Sequence, residues 1–220
     1  MKPLVIYGAG GFAREVLELV RDINSAANEW EIVGFLSDDA DSWGKVLNDL
    51  PILGGEAALD AHPAGINVVL GVGNPTTKRK LTERLRVRRV SWPSLRHPNV
   101  VMSARVSIGF GVVITAGNIL TTDIRLDDFA MINLACTIGH DCVIGRYSTI
   151  SPGVNVSGNV HVGEGCDIGT GSSFVQGVTL GEWSVLGAGA VVSKNLPANC
   201  TAVGVPARAI KEREPGWHLA

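Results

Sequence analysis

The stretch TIGHDCVIGRYSTISPGVNVSGNVHV, residues 137–162, keeps time in sixes. Ile138, Ile144, Ile150, Val156 and Val162 fall on one beat, and Cys142, Ser148, Val154 and Val160 fall four places after it. Followed outward, the first beat is unbroken from Met102 to Val192, sixteen apolar residues in succession. The second carries small or β-branched residues such as Ala130, Cys136, Cys166, Ser172, Val178, Ser184 and Ala190, and glycine often stands directly after the first, as at Gly109, Gly139, Gly163 and Gly181. A hexad of this kind supplies one short strand and one turn. Three of them close a triangular coil whose aliphatic side chains stack inside at a strand spacing of about 4.8 Å. Sixteen beats make roughly five coils, a parallel β-helix about 25 Å long.

The composition agrees with a repeat. Aromatic residues make up only 5% of the chain beside 27 glycines, so small residues and turns must do the packing that large rings do elsewhere. A net charge of -2 gives no basic surface for nucleic acid or an anionic membrane, and an anionic ligand must be held by local geometry. The start, MKPLVIYGAGGFARE, is a short apolar run broken by glycines, too short for a signal-peptide core or a membrane span. A cytoplasmic protein without membrane insertion is expected. Cys136, Cys142, Cys166 and Cys200 show no CxxC spacing, and the first three sit on the small inward beat. Core packing is therefore expected of them, not a disulfide or a nucleophile.

Residues 1–95 lack the beat and read as an α/β unit, with 220 residues leaving room for two cores. PLVIYGAGG is a strand entering a glycine turn, FAREVLELVRDI has the apolar spacing of an amphipathic helix, and EIVGFLSDD and NVVLGVG are further strands. NPTTKRKLTERLR is a polar helix, and VRRVSW a short closing strand. Alternation of this kind predicts a parallel sheet of about four strands. WPSLRHPN, residues 92–99, has two prolines and no beat, which places the boundary there and the β-helix in residues 96–220.

Gly8, Gly10 and Ala13 fit G-x-G-x-x-[G/A] between a strand and a helix, with Asp38 and Asp39 at the end of the next strand. Residues without bulk let a phosphate approach N–H groups at a helix N-terminus. A full dinucleotide needs two such halves and the unit has one, so a single nucleotide diphosphate is the better fit. The plainer reading is that the glycines only make the turn.

His140 and Asp141 occupy the turn after Ile138, where both side chains can project from a corner. A solvated turn histidine is one reading, a general base the other, since imidazole accepts a proton at neutral pH and a neighbouring carboxylate stabilises the imidazolium. A metal site is not expected. The only other histidine within the repeats is His161, 21 residues on and so out of register with the coil, and His62, His97 and His218 lie outside the repeats.

Taken together, YGAGGFAREV, FLSDD, GVGN, NLACTIGHDCVIG and VGVPAR resemble, in order, the nucleotide-sugar acetyltransferases of the sialic-acid O-acetyltransferase type, which include bacillosamine-pathway and GDP-perosamine N-acetyltransferases. The resemblance implies an N-terminal Rossmann-like α/β domain and a left-handed β-helix of the hexapeptide acyltransferases, a hand that the usual right-handed crossover rule would not give. It implies acetyl transfer from acetyl-CoA to the amino group of a nucleotide-linked amino sugar, with His140 as general base assisted by Asp141. It places Gly10, Gly11 and Phe12 along the sugar nucleotide, Asp38 and Asp39 near its base or ribose with Gly73 beside them, and Asn133 near the acceptor sugar. Asn133 also reads as an asparagine tolerating a left-handed turn. Thr149, Thr170 and Ala188 would follow the coenzyme and Gly158 would lie close to the thioester, in grooves between the subunits of a homotrimer. Two departures stand out: a serine precedes the acids in FLSDD, and Thr149 replaces a histidine common in relatives. The alternatives are O-acetylation of a sialic acid or similar sugar, and a non-catalytic nucleotide-sugar-binding trimer.

Overall fold

The computed structural model describes residues 1–62 and 65–219. They divide into two compact units, one of Met1–Gly73 with Thr77–Pro98, the other running from Asn99 onward and taking in Asn74–Thr76.

The first unit is a twisted sheet. Strands β1 (Lys2–Tyr7), β2 (Trp30–Leu36), β3 (Val46–Leu47), β4 (Leu50–Gly54), β5 (Ile66–Leu70) and β6 (Val90–Ser91) lie in the order β3-β4-β2-β1-β5-β6. Only the β3–β4 pair is antiparallel. Helix α1 (Gly11–Ala27) buries Ala13, Val16, Leu17, Leu19, Val20 and Ile23, the stripe expected of an amphipathic helix on a sheet. It ends where Asn28 turns left-handed and its N–H returns to the Asn24 carbonyl. Helix α2 is Pro75–Leu85. The four strands read from the sequence are β1, β2, β5 and β6; the β3–β4 hairpin is an addition. Its turn residues, Asn48 and Asp49, both have positive φ (44° and 71°), the geometry that favours two-residue hairpins.

From Val101 the chain winds through three walls of two-residue strands. One wall stacks Ile119, Thr137, Asn155, Ser173 and Val191 in parallel register, each 18 residues after the last. The second includes Arg125–Leu126, Val143–Ile144 and His161–Val162, and the third Met131–Ile132, Thr149–Ile150 and Asp167–Ile168. Every residue on the first beat from Ile114 to Val192 is at most 3% exposed, so the hexad is the core. Burying each such aliphatic contributes about 1.5–3 kcal/mol. Asn118 is a polar intruder at the inward position. It stays there because its Nδ2 donates to the Thr115 carbonyl (2.7 Å) and its Oδ1 accepts the Cys136 N–H (2.9 Å). Gly139 shows why glycine follows the apolar beat: a Cβ there would lie 2.6 Å from the Gly158 backbone nitrogen of the next coil. The stack ends as Cys200–Val203 adds in parallel to Val185–Leu186 and pairs with the antiparallel strand Arg208–Glu212.

Each coil has three corners, and each corner turns on a left-handed residue repeated every 18 positions. Asp123, Asp141 and Asn159 mark one, Phe129, Tyr147, Gly165 and Trp183 another, and Ala135 with Gly153, Gly171 and Gly189 the third. Among the described residues, no helix is long and apolar enough to cross a membrane.

Candidate active site

In the β-helix the His140 corner is pinned from both sides. The Asp141 N–H donates to the Thr122 carbonyl of the coil before (3.1 Å), and the His140 carbonyl accepts the Asn159 N–H of the coil after (2.8 Å). Asp141 sits at φ 58°, a conformation aspartate tolerates better than most residues. The His140 Nδ1 lies 2.7 Å from Asp141 Oδ2. A carboxylate accepts only, so Nδ1 carries the hydrogen, and in the neutral ring Nε2 is the accepting nitrogen. The two side chains are 49% and 55% exposed, open to a ligand.

The imidazole lies flat on Gly158, the residue directly above it in the column. A Cβ on Gly158 would come within 2.5 Å of Cε1 and 2.8 Å of Cδ2 of His140, and closer still to Nε2. Any side chain at 158 would lift the ring. The Gly158 N–H adds a second feature. Its neighbours Ser157 and Asn159 donate to inter-coil carbonyls, while that of Gly158 finds no acceptor among the described residues. The residue on which the imidazole rests therefore carries an unengaged backbone donor. Cys142, two residues from His140, points the other way: its Sγ donates to the Ser157 carbonyl (3.0 Å), and burial pushes its thiol pKa above the usual value. Burial does the same to Cys136 and Cys166, which are pushed up to about 11 and about 12. These are core thiols, as the inward beat required.

The remaining β-helix candidates fall elsewhere on the coil. Asn133 lies one corner before His140, its Oδ1 accepting the Leu134 N–H (2.8 Å). Thr170 and Ala188 share that corner in a column with Leu134 and Pro152, and Leu134, Pro152 and Thr170 each accept a backbone hydrogen bond of 2.9 Å from the next coil. Thr149 is on the wall before it and is only 4% exposed. One chain thus brings Gly158 to His140 but keeps Asn133, Thr170 and Ala188 a full wall away. His161 lies on the wall after the His140 corner. Among the described residues no group of three His, Cys, Asp or Glu side chains is placed to hold a metal.

In the α/β unit, the Gly8 N–H donates to the Leu36 carbonyl (2.9 Å), tying the glycine turn to the end of β2. Gly71, after β5, abuts Ala13: a Cβ there would lie 2.7 Å from the alanine's, which explains the small third position of the motif. Gly10 caps α1 without a side-chain partner, no acid occupies the first turn, and space above Gly10 is empty to 4 Å. Gly11 and Phe12 follow in that first turn, so its N–H groups face an open, electropositive end. Gly73 lies just past β5, at the same carboxyl edge of the sheet.

The two acids at the end of β2 have separate duties. Asp38 accepts from Tyr7 Oη (2.8 Å) and from both Arg84 Nη atoms (2.6 and 3.2 Å). Arg84 in turn reaches Glu56 through Nε (2.7 Å). Hydrogen bonding from Arg84, first, holds the Asp38 carboxyl below its ordinary value, and burial, first, raises that of Tyr7. Asp39 Oδ1 accepts the Asp41 N–H (3.1 Å) and so caps the short turn Ala40–Ser42. The sequence showed the acids but not Arg84, 46 residues from Asp38, nor Glu56; only folding brings them together.

Comparison with known proteins covers both units. Residues 3–85 match the family model of the PglD N-terminal domain. The chain overlays a variant of perosamine N-acetyltransferase from Caulobacter crescentus, crystallised with CoA and GDP-perosamine, at a TM-score of 0.88 and 30% identity, covering 96% of this chain and 98% of that one. It overlays the acetyltransferase domain of PglB from Neisseria gonorrhoeae at 0.86 and 33% identity, over 96% and 100%. The GDP-perosamine N-acetyltransferase of Escherichia coli O157:H7 is 29% identical over 62% of the chain and 61% of its own length. Against the other curated relatives it matches, the chain aligns over 18% of their length. The coil is a left-handed parallel β-helix following an α/β domain.

Proposed function

Because the chain belongs to the family of the perosamine N-acetyltransferase and the PglB acetyltransferase domain, we propose that it transfers acetyl from acetyl-CoA to the amino group of a nucleotide-linked amino sugar. The observation that carries this reading is the His140 corner: Nδ1 fixed by Asp141, Nε2 free, and an unengaged N–H of Gly158 alongside.

The neutral amine of the sugar attacks the thioester carbonyl while Nε2 of His140 takes the proton the nitrogen sheds. The carbonyl oxygen gathers negative charge and the Gly158 N–H stabilises it, a donor already in place and needing no reorganisation. The tetrahedral adduct collapses to the amide as the C–S bond breaks, and the CoA thiolate recovers a proton from the imidazolium. Asp141 stabilises that imidazolium and holds the ring in the tautomer that presents Nε2. No acyl-enzyme is formed.

The sugar nucleotide belongs to the α/β unit, its diphosphate at the open N-terminus of α1 beside Gly10, Gly11 and Phe12, with Gly73 and the Asp38–Asp39 segment nearby. The working form is a homotrimer in the cytoplasm. Its support is the division of candidates within one chain: the column of Thr170 and Ala188 is one wall from His140, and a neighbouring copy laid alongside would bring that column to the His140 corner. Acetyl-CoA would then run along the neighbour's column with its thioester over Gly158.

Assaying GDP-, UDP- and dTDP-linked amino sugars with acetyl-CoA, reading free thiol and product mass, tests the reaction. The expected result is one acetyl per sugar, stable to mild base. A base-labile product means O-acetylation, and no thiol release means a binding trimer.

A further inference from the structure

At the carboxyl edge of the sheet the structure holds one large apolar surface that the proposed chemistry does not use. Trp43 is 49% exposed, whereas Trp30 and Trp183 are 5% and 4% exposed. It is not loosely attached. Its Nε1 donates to the Ser37 carbonyl at 2.8 Å, so the polar edge of the indole is satisfied inward and the rest of the ring is left facing out. The turn that carries it is locked by Asp39, whose side chain caps it, and by Ser42, whose Oγ donates to the Asp39 carbonyl (2.6 Å). Gly55 leaves the ring its room, since a Cβ there would lie 3.2 Å from Cζ2 of Trp43.

The position of this ring suggests what it is for. Leu36 holds the glycine turn through the Gly8 N–H, and the next residue, Ser37, holds Trp43. Phosphate-binding turn and indole are thus fixed to two successive residues at the end of one strand. Both lie at the carboxyl end of β2, the edge at which open α/β sheets take nucleotides. A nucleotide diphosphate has an anionic end for the helix and a flat apolar end that needs a face.

We propose that Trp43 is the platform on which the nucleobase of the sugar nucleotide stacks. This rests on the α/β unit being the nucleotide site. Stacking does not depend on which base is bound, because every base has a π-face, so Trp43 supplies affinity for the nucleoside while sparing the diphosphate contacts.

The test is calorimetric titration of the full chain with GDP, UDP and inorganic pyrophosphate, for wild type, Trp43→Ala and Trp43→Phe. Trp43→Ala is expected to weaken GDP and UDP about 10- to 100-fold, leave pyrophosphate unchanged, and raise KM for the sugar nucleotide at constant kcat. Trp43→Phe should recover most of the nucleotide affinity. Unchanged affinity in Trp43→Ala, with wild type binding normally, overturns the platform alone. Equal loss for pyrophosphate also overturns it, as a structural effect of the substitution. Failure of wild type to bind either nucleotide removes the domain assignment and the platform together.

Discussion

Two corners of the same coil are built alike and used in opposite ways. At the Tyr147 corner the left-handed positions hold Phe129, Tyr147 and Trp183, and their rings fold back along the column. Phe129 lies over Gly111, where a Cβ would meet its Cδ1 at 2.5 Å, and Tyr147 stacks on Phe129 at 5.4 Å. Arg146 lies over Tyr147 at 4.6 Å, and His218 stacks on Trp183 at 3.7 Å. Tyr147 is 1% exposed. At the His140 corner the left-handed positions hold Asp123, Asp141 and Asn159, which tolerate that backbone without needing burial, and the ring belongs to the residue before. It too rests on a glycine one coil away, yet half of it faces solvent. The lesson is that the repeat supplies a flat glycine bed at either corner. An apolar ring laid on it becomes core, and a titratable ring with a carboxylate beside it becomes a site.

The comparison breaks first at His140. His140→Ala should lower kcat by about 10²–10⁴-fold, while the oligomeric state and GDP or UDP binding stay those of the wild type. Steady-state rates with sedimentation and calorimetry check this, and near-normal turnover would make His140 an ordinary surface residue. Tyr147→Ala should do the converse, costing about 3–5 kcal/mol of stability by denaturant unfolding with turnover kept below the transition. Loss of activity in folded protein would mean the aromatic corner is no mere core.

Gly158→Ala separates ring placement from backbone strain, because the collision falls on the imidazole. A displaced Nε2 predicts a loss in kcat on the order of 10²-fold, with thermal stability close to wild type. Unchanged kcat would show that the ring does not need its bed. The smallest effect is expected for Asp141→Asn, which keeps the hydrogen bond and removes its charge. A fall of about tenfold, with a displaced pH–rate profile, is the difference between a charge-assisted and a neutral hydrogen bond. An unaltered profile would argue that the pair is not coupled.

Much of this could be read in the letters. The beat of six gave walls, turns and inward cysteines, and the 18-residue coil already set His140 and Gly158 in one column. The family resemblance implies a place for Gly158 close to the thioester; its service as the bed under the ring appears only once the His140 side chain has a direction. In the α/β unit the glycine turn and both acids were legible, but not their division of labour. Asp38 is engaged by Arg84 and Tyr7, and Asp39 caps the turn that presents Trp43. The β3–β4 hairpin is not legible in the strand pattern because β3 has two residues, too few to show alternation, although its Asn48-Asp49 turn is a usable signal.

The sequence by itself determined everything periodic. A solenoid places each residue by its count within the repeat, so core, turn and column follow from position alone. The tertiary structure decided what periodicity cannot carry: the contacts of Asp38 with residues 31 and 46 positions away, the outward face of Trp43, and the wall that separates His140 from Asn133, Thr170 and Ala188. Such contacts join segments whose spacing follows no repeat, and only the closed chain fixes which of them meet.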